Sequence, residues 1–424
     1  MAYRDGLPQV EGKGKSMVAR RLEHLDGIRG LAAFAVFVCH FIQVFLPHVY
    51  YLDQTGGHGL WEDEFATSPF NIIVNGNFAV CLFFVLSGYV LSHRFLASGD
   101  IEGLRRLAAK RYLRLALPVL AAVLLAWAIL AMDGYSYGEI KPITRSGMTD
   151  AYATFIPFWG AVGDGAIGAF FNGSWRLDPV LWTMQTELYG SFLVFGMLAL
   201  FGGMGWRWPV YAAAIAIFYN SYYLAFILGV VLADYQLQAS DRDAPLLMTL
   251  LAVALGIAFG SYPYYGAEHG LWSIMPDIGS AHKPVFYHIL GAALLIQAAN
   301  HFSRVRQALK HPLCRFLGRI SYSLYLIHFP LVCSISAGLA LLFFPHMNYS
   351  MAITLAFLIS VPLVIALATL FTEWVDQPAI RLADAFATRL MPRSHQREPA
   401  LDPAPQQMPQ AQKIAPLPLQ AEPT

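Results

Sequence analysis

Two ionisable side chains, Arg29 and His40, lie within one apolar segment, LDGIRGLAAFAVFVCHF at 25–41. In an α-helix their spacing places both on one face, about 16 Å apart along the axis. A charged group at membrane depth costs at least ~2.5–3.5 kcal/mol, and ionisable residues found there usually serve function. His40 is therefore a candidate functional residue, with hydrogen-bonded packing as the alternative. Asp26, one turn before Arg29, is expected to form an ion pair with it and to fix its position.

A pair of arginines begins the third apolar segment, in RRLAAKRYLRLALP at 105–118. Arg111 and Arg114 are separated by one helical turn and share a face. Paired guanidinium groups at the mouth of a helix bundle suit bidentate binding of phosphate. The other basic residues of this run are expected only to mark the cytoplasmic side.

A carboxylate and a second histidine lie inside later apolar segments. Glu187 belongs to WTMQTELYGSFLVF at 182–195, and a buried carboxylate needs a cation or hydrogen-bond donors. His40 is its expected partner, which would fix the imidazole tautomer, and an arginine is the alternative. His328 belongs to GRISYSLYLIHFPL at 318–331. Catalysis, acceptor binding and packing all remain open for this histidine.

Helices that cross a membrane must position these groups. Of the 424 residues, 57% are hydrophobic and 13% are charged, whereas an ordinary soluble domain carries about 25% charged residues. The pattern predicts an all-α, polytopic transmembrane helical bundle of about ten spans. The spans are 31–46, 72–92, 115–132, 181–201, 209–219, 221–234, 246–260, 286–300, 320–344 and 351–372. The fifth and sixth are short, and a re-entrant hairpin is the alternative there.

Basic residues indicate the orientation of the bundle. Both termini are expected to be cytoplasmic, because Lys and Arg then concentrate on the inner side. Those left outside are Lys141, Arg145, Arg176 and Lys283. This topology predicts a multi-pass protein of the cell inner (cytoplasmic) membrane.

The chain divides into three predicted parts. Residues 1–21 form a cytoplasmic segment, 22–382 the membrane domain, and 383–424 a disordered Pro/Gln-rich cytoplasmic tail that lacks the apolar periodicity of a folded segment. No cleavable signal peptide is expected. The four cysteines are expected to be small buried residues rather than disulfide partners.

The segments together resemble the acyltransferase 3 family of integral membrane acyltransferases, over residues 22 to about 382. The matching features are LDGIRG with the spacing of Arg29 and His40, FFVLSGYVLS at 83–92, the pair Arg111 and Arg114, WTMQTELYGSFLVF, SYSLYLIHFP and FTEWVDQP at 371–378. The paired acidic residues of the family's central segment stand here as Thr186 and Glu187. Of the family's two acidic residues, only the second therefore has a counterpart in this sequence, Glu187.

The resemblance implies transfer of an acyl group, commonly acetyl from acetyl-CoA, to a hydroxyl of a glycan or glycolipid. It implies that His40 is catalytic and that Arg29, Arg111 and Arg114 bind the acyl-CoA donor. On this hypothesis His40 is the general base and Glu187 orients it. A covalent acyl-histidine is the alternative.

The sequence offers fewer candidates for the path that the acyl-CoA donor takes through the bundle and for the acceptor site. Ser87 and Gly88 are candidates to line the path, with close helix packing as the alternative for Gly88. The candidate substrate-binding residues are His328, Asp26 and Trp175, the last in an aromatic-rich outer loop at 133–180 that suits stacking on sugars or an interfacial belt.

Two further interpretations compete with a glycan O-acyltransferase. The same chemistry could act on a small glycosylated metabolite, or the intramembrane histidines and Glu187 could form a proton relay in a transporter or glycan exporter. The expected partners are the acceptor, membrane lipid and glycan-assembly proteins. No metal and no nucleic acid is expected.

Overall fold

The computed structural model describes residues 10–52, 56–59, 61–239, 244–265, 270–278 and 282–392, and side chains from Glu23 onward. Every regular element in these residues is helical, and none of them forms a strand. The predicted all-α class is confirmed. Most of the predicted cytoplasmic tail, from residue 393, lies outside the described residues, as do residues 1–9.

Eleven helices of at least eleven residues form the described bundle, and each of the first ten overlaps one of the segments predicted as spans. They are α1 (Val10–Phe45), α2 (Gly76–Ser98), α3 (Ile101–Ala131), α4 (Trp182–Phe201), α5 (Trp208–Phe218), α6 (Tyr223–Gln238), α7 (Leu246–Gly260), α8 (Lys283–His301), α9 (Pro312–Leu331), α10 (Tyr349–Phe371) and α11 (Gln377–Leu390). The shorter helices are His48–Tyr51, Trp61–Ala66, Tyr137–Thr144, Phe158–Gly163, Ser303–Leu309 and Ala337–Phe343. The remaining turns are 3₁₀-helical at Pro69–Ile73, Pro179–Leu181 and Gly270–Ile274 and π-helical at Asp164–Asn172, Val332–Ser336 and Thr372–Asp376.

Six continuous helices in the described residues are long and apolar enough to cross a membrane. A seventh is obtained if α8 and the helix after it, which meet at 101°, count as one span. The three helices α5, α6 and α7 have 11, 16 and 15 residues. Their lengths of about 16–24 Å fall short of a ~30 Å hydrocarbon layer. A multi-pass membrane protein is supported, and the count of ten stays a prediction.

Several helices begin before their apolar runs. Helix α1 starts at Val10 rather than near 31, and α3 starts at Ile101 rather than near 115. Hydropathy detects only the lipid-facing part of a helix, whereas the backbone continues to a cap. At α3 the cap is Asp100, whose Oδ1 accepts from the Gly103 amide at 2.8 Å.

The last helix extends past the predicted start of the tail. A π-helical turn joins α10 to α11, which ends at Leu390, whereas the tail was predicted from 383. The reason is a buried stripe of Ala379, Ala383 and Ala387, spaced four residues apart, on the helix that packs against α3. This spacing keeps small side chains on one face.

Glycines allow two pairs of helices to approach each other closely. A Cβ on Gly88 of α2 would lie 2.1 Å from the Phe226 carbonyl oxygen of α6, so the packing interpretation of Gly88 is confirmed. A Cβ on Gly30 of α1 would lie 2.3 Å from the Gly318 amide nitrogen of α9. Contact of this kind holds α1 and α9 together along much of their length.

The cysteines form no disulfide. Cys39, Cys81 and Cys333 are buried and Cys314 is partly buried, all as free thiols. The expectation of small buried residues therefore holds for the three that lie inside the spans.

Candidate functional site

A cavity of about 630 Å³ lies between α1, α2, α3, α4, α9 and the start of α11. Its size is within the range of small-molecule sites. The outer part of its wall includes Arg315 and Arg319, which are exposed to solvent. Five arginines line it, Arg29, Arg111, Arg114, Arg315 and Arg319. Four acidic residues share the wall, Glu23, Asp26, Glu187 and Asp376.

Arg111 binds Glu187, and this contact corrects a prediction. The Arg111 guanidinium donates to the Glu187 carboxylate, and its Nε donates to Ser191 Oγ at 2.8 Å. Ser87 Oγ also donates to Glu187 at 2.7 Å. The expected pairing of Glu187 with His40 is wrong, because the arginine of the neighbouring helix supplies the counter-charge.

Arg114 is fixed by a carboxylate and an aromatic ring. Its Nη1 donates to Asp376 Oδ1 at 2.6 Å, and its guanidinium carbon lies 5.1 Å from the centre of the Tyr322 ring. Asp376 belongs to the segment FTEWVDQP, so the closing motif supplies the partner of the third-span arginine. The predicted arginine pair does reach one cavity, although each guanidinium has its own acid.

Arg29 and Asp26 form the predicted local ion pair, at 2.8 Å, on the same cavity wall. Sequence reasoning assigned Arg315 and Arg319 only to topology and missed that they face the cavity. Arg319 pairs with Glu373, whereas the side chain of Arg315 forms no hydrogen bond or ion pair with any described residue. Their four-residue spacing at the start of α9 was the available signal, because it places both on one face.

Tyr325 is the last residue of α9 in the cavity wall, which also includes Val80, Phe83 and Thr183. From Arg315 to Tyr325 the helix rises about 15 Å. The Tyr325 hydroxyl is 2.8 Å from Thr183 Oγ1 and donates to the Val180 carbonyl at 3.0 Å, and its ring packs edge-on against Phe83. The ring is therefore held in place from two sides.

His40 and His328 form a pair directly beyond Tyr325. His40 Nδ1 lies 2.9 Å from His328 Nε2, and the His328 ring centre lies 5.9 Å from that of Tyr325. His328 is fully buried and His40 is partly buried. Neither histidine is among the residues that line the cavity. Sequence reasoning selected both residues and did not foresee their contact.

A series of aromatic contacts leads from His40 through Phe329 to two tyrosines of the segment 133–180. Phe329 packs edge-on against His40, and Tyr152 lies beyond it in a close stack with Tyr135 at 3.5 Å between ring centres. Burial raises the pKa of the Tyr152 phenol well above its ordinary value. Asp178 is also fully buried, which raises the pKa of its carboxyl. No spacing in the sequence indicated these residues.

The three candidate substrate-binding residues fall in different places. His328 belongs to the histidine pair, Asp26 lines the cavity, and Trp175 is 48% exposed before the turn Pro179–Leu181. Trp175 is not part of the cavity wall. No cluster of three or more potential metal ligands occurs among the described residues.

Comparison with known proteins identifies the family. The sequence pattern of the acyltransferase 3 family, described as an acyltransferase domain, matches residues 22–371. The chain belongs to this family. The resemblance seen in the motifs is thus confirmed, and acyl transfer is favoured over transport. No solved structure matches the chain.

Distant fungal relatives of this acyltransferase include three curated proteins. Acyltransferase R4 of Phoma sp. is 22% identical over 404 residues, covering 74% of this chain and 84% of its own length. Acyltransferase clz18 of Cochliobolus lunatus is 23% identical over 403 residues, with the same coverage. O-acetyltransferase PaAT-1 of Phomopsis amygdali is 22% identical over 438 residues, covering 87% of this chain and 84% of its own length.

For an acyltransferase, the arrangement separates two tasks. The arginine-lined cavity can hold an anionic carrier, and the histidine pair can exchange a proton. Tyr325 lines the cavity, and its ring centre lies 5.9 Å from that of His328. Arg315, Arg319, Tyr325 and His328 thus follow one another along α9.

Proposed function

We propose that this acyltransferase moves an acyl group, acetyl in the simplest case, from acyl-CoA to a hydroxyl of a cell-surface or exported glycan or glycolipid. The single observation that carries the proposal is the arginine-lined cavity that ends one aromatic side chain away from the histidine pair. The name O-acetyltransferase of the Phomopsis amygdali relative supports oxygen as the acceptor atom.

Charge supports CoA as the donor carrier. CoA carries several phosphates, and the cavity wall holds five guanidinium groups, of which that of Arg315 has no acidic partner in the described part of the chain. The other four have carboxylate partners that phosphate oxygens can replace as acceptors. The thin pantetheine arm then fits the apolar inner part, between Val80, Phe83 and Tyr325. Glu187 acts here by positioning Arg111 rather than by orienting the base.

Acyl transfer needs a base at the far end of this path. His40 takes the proton of the acceptor hydroxyl, the oxygen forms its bond to the thioester carbonyl carbon, and the carbon–sulfur bond breaks. The proton then passes to the departing thiolate, which leaves as the CoA thiol. The Tyr325 ring must turn aside for the carbonyl to reach His40.

The acceptor side is inferred from topology. With ten crossings and both termini cytoplasmic, the arginine mouth faces the cytoplasm, where CoA is made. Tyr135, Tyr152 and Asp178 then lie on the opposite side of the histidine pair, in or beside the outer segment 133–180. Exposed aromatic side chains such as Trp159 and Trp175 suit contact with sugar rings or with the membrane interface. The inner membrane and glycan-assembly partners belong to the same proposal.

The decisive experiment supplies radiolabelled acetyl-CoA to the purified protein in lipid vesicles together with envelope glycan. We expect ester formation with the wild-type protein and none with His40→Ala, which should still bind CoA. Uptake of label without ester formation would reject the enzyme. Ester analysis of glycans and of small secreted metabolites from a deletion strain then distinguishes the two acceptor classes.

A further inference from the structure

We infer that His328 is a positioning residue that fixes the tautomer of His40 and stabilises its protonated form. The inference rests on the proposed function, since it assumes that His40 is the base. It assigns to the second histidine a role different from substrate binding. The contact between the two rings carries the argument.

Hydrogen-bond partners determine the tautomers. His328 Nδ1 lies 3.0 Å from the Leu324 carbonyl oxygen, which can only accept, so Nδ1 carries the hydrogen. In a neutral imidazole the other nitrogen is then an acceptor. His328 Nε2 therefore accepts from His40 Nδ1 at 2.9 Å. The lone pair of His40 is left on Nε2, where it can receive a proton.

The fold gives this contact little freedom. Leu324 is one helical turn before His328 on α9, so the ring is tied to its own helix. The close approach of Gly30 to Gly318 fixes α1 against the same helix. Phe329 covers the His40 ring edge-on with ring centres 5.3 Å apart. The two rings consequently meet in one orientation.

A neutral partner suits a buried base. During transfer the acceptor O–H bond breaks and His40 Nε2 gains the proton, which makes the ring an imidazolium. His328 Nε2 then accepts from a charged Nδ1–H, a stronger hydrogen bond than the neutral one. A carboxylate in the same place would add a second charge to a buried site and its desolvation cost. After the proton passes to the thiolate, both rings return to the starting tautomers.

Another buried histidine shows what a packing role looks like. His288 on α8 is also fully buried, and its nitrogens contact Asn77 and the Tyr262 carbonyl at 2.8 and 2.7 Å. Its partners are amide and carbonyl groups that take no part in the proposed chemistry. His328 differs because one of its ring nitrogens contacts the imidazole of another histidine, His40. His288 thus offers a matched control.

The test compares two substitutions at the same position. His328→Leu removes the acceptor, and we expect kcat to fall about 100-fold, part of the 10²–10⁴ supplied by a positioned base. The KM for acetyl-CoA should stay within about twofold, because the cavity wall is untouched. His328→Gln offers an amide oxygen as acceptor and should recover kcat to within about tenfold of wild type. His288→Gln should leave kcat unchanged.

Several results would overturn the inference. These are a His328→Leu kcat within threefold of wild type, or an equal loss of kcat in the Leu and Gln variants. Should the variants fail to fold, ¹⁵N-histidine NMR of the wild-type protein in lipid nanodiscs decides the tautomer directly. Hydrogen on His40 Nδ1 together with an N–N scalar coupling to His328 Nε2 across the hydrogen bond supports the inference, whereas hydrogen on His40 Nε2, or the absence of that coupling, refutes it. If His40→Ala keeps full activity, the proposed function itself fails, whereas an inactive His40→Ala with a fully active His328→Leu removes only this inference.

Discussion

Removing the charge of Glu187 should destabilise the bundle more than it impairs chemistry. Glu187 and Arg111 have side chains that are only 12% and 15% exposed. Glu187→Gln leaves the guanidinium buried without a counter-charge, although Ser191 still accepts from its Nε. Breaking a buried ion pair in this way costs about 3–5 kcal/mol.

Because Arg111 and Glu187 line the cavity, we expect the loss of stability in Glu187→Gln to lie at the lower end of this range. Solvent in the cavity can partly screen the freed guanidinium, so we expect a loss of about 3 kcal/mol in the free energy of unfolding. That value is about a hundredfold in the unfolding equilibrium. The measurement is equilibrium unfolding in mixed detergent micelles, followed by tryptophan fluorescence.

A double substitution separates stability from donor binding. Arg111→Met with Glu187→Leu removes both charges at similar volume, a change that is often neutral for stability. We expect the double variant to unfold near the wild-type midpoint and to bind CoA at least tenfold more weakly. A Glu187→Gln protein as stable as wild type would refute the burial argument. If the double variant were as unstable as Glu187→Gln, the loss of stability would not come from the unpaired Arg111 guanidinium.

Three further predictions test packing, the deep end of the cavity and topology. Gly88→Val should abolish folding, since its first carbon would overlap a backbone oxygen of α6, whereas Gly196→Val, with no atom within 4 Å, should keep the wild-type thermal midpoint. Tyr325→Trp should lower turnover at least tenfold and leave CoA affinity within twofold in equilibrium binding, because a larger ring obstructs the way to the histidines; equal loss of both would contradict this. In intact cells Cys314 should resist a membrane-impermeant maleimide until permeabilisation, while Ala153→Cys reacts at once; the reverse pattern would invert the proposed orientation.

The sequence predicted the helices better than their ends. Each of the ten segments predicted as spans overlaps a helix of the structure, because long apolar runs have few alternatives in a membrane, although only six or seven helices among the described residues are long and apolar enough to cross it. The early starts of α1 and α3 were missed, since polar helical turns leave no hydropathy signal. Two of the three alanines in the buried stripe of α11, Ala383 and Ala387, lie in the segment predicted as tail, and they were missed because alanine gives no strong apolar periodicity.

The sequence predicted several residues of the site but few of the contacts between them. Arg111, Arg114 and Arg29 do line one cavity, and Arg29 has its predicted partner. Of the two partners considered for Glu187, His40 and an arginine, the structure shows the arginine, Arg111, and sequence spacing could not decide between them because the choice depends on how the helices are rotated. The contact of His40 with His328 spans 288 positions and has no local signature.

The ring of Tyr325 also bears on the proposed transfer across the membrane. Passing an acyl group from the inner to the outer side, as we propose, requires a route through a layer that maintains an electrochemical gradient. Tyr325 lines the arginine-lined cavity next to His328, and its hydroxyl is held by Thr183 and Val180. We expect this ring to limit the leakage of protons and ions along the proposed route when no substrate is bound.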